Sequence, residues 1–279
     1  MIPLSETLKR KTEAKKYLDQ VIDQMSFADS DLKAIIKRNA IDLINVSMSY
    51  SDLGKAFHFS HNPTLESKVN DILYKLRKDI FNIIYLRAEY VNDLAYEKEG
   101  PAKDNKFLLL FLSSKIAEKT LEARIDQYIK LIHSEVEAYI AAGINKGLSG
   151  YQILNAYINS LKVPYKASLL LEAFKQQGFK VERILNKGIT FGTGKYVSAF
   201  NSLLRLEQQT IFHAYNNTLN HIWLGKTNIV GWYTTRASSY PCILCDDNVG
   251  VFHPKEEFFY GYHLRCCCLM LPVYTSDII

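Results

Sequence analysis

The stretch 238-SSYPCILCDDNVGVFHPKEEFFYGYHLRCCCLMLPV-273 holds every cysteine of the 279-residue chain: Cys242, Cys245, Cys266, Cys267 and Cys268. Cys242 and Cys245 form C-x-x-C, and His263, Cys266 and Cys268 form H-x-x-C-x-C. A tight C-x-x-C turn lets two thiolates grip one ion, and a second pair returning from a hairpin-sized excursion completes a tetrahedron. The candidate ligands are therefore Cys242, Cys245, His263 and either Cys266 or Cys268, with zinc as the expected ion. In extended chain, alternate residues face one side. Cys266 and Cys268 then share the ligand side, Cys267 faces away, and one thiol is left over. A full four-ligand shell leaves no position for water, so the expected role of the zinc is structural.

Enzymatic readings of the same residues fail. Pro241-Cys242-Ile243-Leu244-Cys245 matches the P-C-x-x-C half of zinc nucleobase deaminases, which also need H-x-E upstream. The upstream candidates are His213-Ala214-Tyr215 and His221-Ile222-Trp223, and neither supplies the Glu. Residues 188–198, GITFGTGKYVS, imitate a phosphate loop. However, five residues separate Gly188 from Gly194, and Tyr196 follows Lys195 where Ser or Thr is required. Glu256-Glu257 is the one tempting carboxylate pair and reads as a solvated turn. No catalytic residue is assigned, and the chain is expected not to be an enzyme.

Working outward, the rest of the chain reads as mainly helical. Segments of about 5–26 and 29–57 are helical by composition. Asn62-Pro63 is a helix start, with Asn as cap and Pro in the first turn. Leu65, Val69, Ile72, Leu76, Ile80 and Ile83 follow at spacings of three and four. Gly100-Pro101 ends that helix. A second long helix is expected over 104–142, with Leu108, Leu112, Ile116, Leu121, Ile125 and Ile129 inward. Ser149 caps a short helix through Leu161, a further one is expected over 164–177, and another over 195–222. Beyond Trp223, glycines, aromatics and β-branched residues indicate short strands and loops. The expected architecture is an N-terminal long-helix bundle over 1–145, then an α+β domain over 146–279 that ends in the Cys/His knuckle.

Composition fits this class. The chain is 48% hydrophobic and 23% charged, enough to bury a core. Its polar N-terminus shows no secretory signal, and its longest strongly apolar run, 107–112, is too short to span a bilayer. An intracellular, reducing setting favours metal over disulfides for clustered thiols. Residues 1–140 balance 21 Lys and Arg against 21 Asp and Glu, whereas residues 141–279 hold 13 against 8. The whole +5 excess thus lies in the second half, enough for weak, non-specific DNA contact.

These motifs resemble those of the head morphogenesis family of tailed bacteriophages, the minor head proteins typified by the F protein of phage Mu. The matching residues are Trp232, Cys242-Ile243-Leu244-Cys245, Gly250, His263-Leu264-Arg265-Cys266-Cys267-Cys268 and Leu271-Pro272-Val273. Upstream, Arg205-Leu206-Glu207, Ala214 and Asn216 fit the family's R-x-E helix, and Gly147-Leu148-Ser149 its helix-opening turn. Leu264 replaces the family's Pro, Cys267 replaces its Arg, and the Asp between the Trp and the first Cys is missing. The resemblance covers about 147–273. It implies a minor capsid component acting in procapsid assembly at the portal vertex, with portal or capsid partners, a virion location after assembly in the host cytoplasm, and no membrane.

Two other functions compete. A zinc-ribbon-like nucleic-acid module needs basic and aromatic residues together, and Lys226, Trp232, Tyr233 and Arg236 offer a thin version. A toxin or enzyme domain is the third reading.

Overall fold

The computed structural model describes residues 4–51, 57–100, 103–116, 118–162, 169, 198–263 and 266–278. Among these the protein is mainly helical, with seven helices and one small C-terminal sheet. The helices are α1 (Leu4–Met48), α2 (Pro63–Glu99), α3 (Asn105–Ser113), α4 (Leu121–Asn145), α5 (Gly150–Ser160), α6 (Ala199–Leu224) and the single turn α7 (Ile243–Asp246). The strands are β1 (Ile229–Thr235), β2 (Phe252–Pro254) and β3 (Leu269–Tyr274), in the order β2-β1-β3. Both pairings are antiparallel.

Two helical expectations need correction. The segments 5–26 and 29–57 are one helix as far as Met48, because the buried stripe Val21, Met25, Ala28 and Leu32 passes Ser26 and Asp29 without losing phase. The helix expected over 104–142 is two. Its stripe steps by five from Ile116 to Leu121, and between them Glu118 sits in the left-handed region at φ 64°. Thr120 then starts α4 afresh, its side chain accepting from Ala123 N. The start at Asn62-Pro63 is as expected: Asn62 Oδ1 accepts from Thr64 N at 2.9 Å and Leu65 N at 3.1 Å. Ser149 caps α5 in a reciprocal box with Gln152. The helix expected over 164–177 and most of the turn at 188–198 lie outside the described residues.

The chain forms two compact units, each built from separate stretches. The first unit comprises residues 1–29, 84–114 and 205–279, and the second 30–83 and 115–204.

In the first unit, the early part of α1 buries Ala14, Tyr17, Leu18 and Val21. The later part of α2 buries Ala88, Val91 and Ala95, and α6 buries Ile211, Tyr215, Leu219 and Trp223. Thr218 of α6 donates to Asn92 Oδ1 of α2 at 2.8 Å, which ties the two helices together through a buried polar contact. Lys226 pairs with Glu99 at 2.6 Å. Arg10 donates to both carboxylate oxygens of Asp277, at 2.6 and 2.9 Å, and lies over the Tyr274 ring.

In the second unit, α4 and α5 pack closely around Gly143. A Cβ at Gly143 would lie 2.2 Å from Ile153 Cγ1, so only glycine lets α5 approach this near. Tyr139 and Ser160 share a buried hydrogen bond. The carboxyl of Glu135, on α4, is buried and accepts from Ala199 N, the first residue of α6, at 2.9 Å.

Candidate metal centre

The sheet and α6 hold the knuckle from behind. Trp232 on β1 is fully buried, stacks on His253 at 4.2 Å and donates from Nε1 to Glu257 O at 3.0 Å. Asn220 of α6 donates to the same carbonyl at 3.0 Å and accepts from Phe259 N at 3.2 Å. His213 Nε2, as donor, reaches Tyr260 O at 2.7 Å. These bonds fix the excursion between the two cysteine groups to the helix behind it.

The C-x-x-C segment folds as the turn α7. Cys245 N and Asp246 N both donate to Cys242 O, at 3.1 and 2.8 Å. Arg236 holds this turn from outside through Asp246 and the Tyr240 and Cys242 carbonyls. Gly250, at φ +79°, returns the chain to the sheet, where its N–H donates to Thr234 O at 2.9 Å. Gly261, at φ +82°, lets the chain pass Cys266. A Cβ there would lie 3.0 Å from that of Cys266.

The candidate ligands meet as two overlapping triads. Cys242, Cys245 and His263 form one, and Cys245, Cys266 and Cys268 the other, with the ligand atoms of each triad all within 4.8 Å of one another. Cys245 belongs to both. Its Sγ lies 3.1 Å from His263 Nε2 and 3.9 Å from Cys266 Sγ. Cys245, Cys266 and Cys268 are buried. Cys267 belongs to neither triad and stands on the wall of an adjoining cleft of about 170 Å³. The sharing of one side by Cys266 and Cys268, with Cys267 apart, is the arrangement that alternation implies.

Thiol and imidazole donors in two triads could hold a metal ion, and one pair has the spacing that a shared zinc needs. Sulfur ligands at about 2.3 Å from zinc stand about 3.8 Å apart, and the Cys245–Cys266 separation is 3.9 Å. The cleft, which also reaches Cys242, Cys245, His263 and Cys268, provides an entry path. Hydrogen bonding from Cys268, aided by Cys245, lowers the Cys266 thiol to about 5. Cys268 is raised by that bond to Cys266 and by burial, and burial pushes Cys245 up to about 11.

Other singled-out residues serve the fold. His253 Nδ1 donates to Glu257 Oε2 at 2.8 Å, and the ring stacks on Trp232, so it lies apart from the ligands. Lys226 is paired with Glu99, Trp232 is buried, and Arg236 is bound to the knuckle turn. Glu207 is buried on α6, with Ala214 and Asn216. Sequence reasoning missed Asn220 and the role of Arg236. Their partners lie in a loop whose path no local pattern reveals.

No helix among the described residues is long and apolar enough to cross a membrane. No protein-family model, curated protein or solved structure matches the chain.

Proposed function

We propose that this chain is a minor head protein of a tailed bacteriophage, acting in procapsid assembly at the portal vertex, with a structural zinc ion in its C-terminal knuckle. One observation carries the reading. The residues of the tail that resemble the head morphogenesis family converge in space: Trp232 pairs across the sheet with Pro272, Gly250 bonds to the strand that carries Trp232, and the C-x-x-C and H-x-x-C-x-C residues meet at Cys245. Cys245, His263, one or both of Cys266 and Cys268, and Cys242 would hold the ion. When bound, zinc crosslinks two loops that have little core of their own. In this reading the protein binds portal or capsid protein, travels with the virion, and touches DNA weakly and without sequence preference.

The test is co-expression of the full-length chain with the portal and major capsid proteins of the phage whose genome carries it, followed by pull-down. Capture of either by the wild type, and loss of capture in Cys245→Ser, is the expected result. Failure to capture any head component, together with turnover on a nucleotide, moves the assignment to the enzyme reading. Salt-resistant, sequence-selective DNA binding moves it to the nucleic-acid module.

A further inference from the structure

The knuckle turns apolar side chains outward. Tyr240, Ile243, Leu244, Val251 and Phe252 are each between 47% and 78% exposed. Ile243 and Leu244 are the two central residues of the C-x-x-C turn. Asn248 links Leu244 to Val251: its side chain donates to Leu244 O at 2.7 Å, and its own carbonyl accepts from Val251 N. The turn that faces its thiols inward thus presents a run of apolar surface on its outer side. Patches of this kind mark interaction sites.

The charge around the patch selects the partner. Residues 236–263 carry two Lys and Arg against four Asp and Glu. Arg236 is paired with Asp246, whereas Lys255, whose Nζ donates to the Lys226 carbonyl at 3.0 Å, keeps its charge. Asp247 and Glu256 are exposed and make no ion pair among the described residues. The uncompensated charge is therefore negative, which opposes phosphate, whether of DNA or of an anionic membrane. β2 is an edge strand, but it has three residues and ends in Pro254, a poor template for strand addition. A helix laid on the patch by its apolar face needs no backbone pairing.

We infer that the outer face of the knuckle is a docking surface for a basic amphipathic helix of another protein. The apolar anchors sit on Ile243, Leu244, Val251 and Phe252, and the Lys or Arg rim faces Asp247 and Glu256. The inference goes beyond the assembly reading and stands whether or not the partner belongs to a phage head.

The probe is a fluorescein-labelled amphipathic helix of Leu and Lys, about 18 residues long, titrated by anisotropy into the full-length protein. A Leu/Glu counterpart and a duplex of roughly 20 base pairs serve as controls. Saturable binding is expected, weakened about tenfold in Ile243→Ser/Leu244→Ser and in Asp247→Lys/Glu256→Lys, with the Glu peptide about tenfold weaker than the Lys peptide. Val251→Ser and the charge reversal lie outside the metal ligands, so the test survives if the first pair disturbs the knuckle. Near-UV circular dichroism checks each variant. Equal binding by the variants, equal binding of the Glu peptide, or displacement of the peptide by DNA overturns the inference. So does concentration-dependent self-association on sedimentation that the Ser pair abolishes, since the surface then belongs to a second copy.

Discussion

Arg10 and Asp277 are separated by 267 positions and joined by two hydrogen bonds of 2.6 and 2.9 Å. Arg10 also reaches the Pro272 carbonyl of β3 and covers the Tyr274 ring. The first turns of α1 are thus fastened to the last strand. The hydrogen bonds from Arg10 hold the Asp277 carboxyl below its usual range. A carboxyl depressed in the folded state contributes stability that is complete above its unfolded pKa, near 3.8, and is lost as the pH falls through the folded value. Asp277→Asn should cost about 1–2 kcal/mol at neutral pH and nothing in strong acid. Urea unfolding at pH 7 and pH 3 checks this, and an equal loss at both excludes the ion pair as the cause.

Glu135 has the opposite sign. Burial raises its folded pKa to about 8, against an ordinary carboxyl value of 4.5. Between these values the folded state holds more protons than the unfolded one, so stability falls as the pH rises through that window. Glu135→Gln keeps an acceptor for Ala199 N and removes the titration. It should match the wild type near pH 4.5 and exceed it by a few kcal/mol above pH 8. Thermal midpoints across this range measure the difference. Parallel profiles would show that Glu135 does not titrate in the window.

Cys245 is common to both thiol triads and Cys267 to neither, which ranks the cysteine variants. The wild type should purify with about one zinc per chain. Cys245→Ser should lose the metal and open residues 238–268 to protease, since ligand energy in a small knuckle, ~10 kcal/mol or more, is folding energy. Cys242→Ser removes a member of one triad and should weaken the metal less. Cys267→Ser should keep both metal and protection. Elemental analysis with limited proteolysis reads all three. A wild type free of metal, with five thiols titrating freely, rules the centre out.

Gly231 on β1 faces a close approach from β2. A Cβ there would lie 2.3 Å from His253 O and 2.4 Å from the Phe252 ring. Gly231→Ala should destabilise the first unit by about 1–3 kcal/mol through overpacking, seen as a lower thermal midpoint. An unchanged midpoint would mean that β2 shifts away at little cost.

Local chemistry made much of this legible. Asn62-Pro63 and Ser149 each act within a few residues and are found as read, and the clustered cysteines and His263 come together in two triads that could hold a metal ion. The break before α4 was visible only as a five-residue step in an otherwise regular stripe, and apolar periodicity alone bridges such a step. The continuity of α1 ran against Ser26 and Asp29, which favour caps but yield where Ala28 and Leu32 are buried on one face. Arg10–Asp277, Asn220–Phe259 and Glu135–Ala199 join distant segments, and no periodicity encodes them.

The interleaving of the two units bears on how the chain is made. A ribosome delivers residues in order, at about 5–20 per second. The second unit has all its parts once residue 204 has emerged. The first unit has residues 1–29 and 84–114 waiting by then, and it needs the stretch from 205 to the Asp277 clasp before it can close. Until then the buried faces of α1 and α2 that belong to it lack their covering helix and sheet. In the cell those faces are the ones a nascent-chain chaperone would meet.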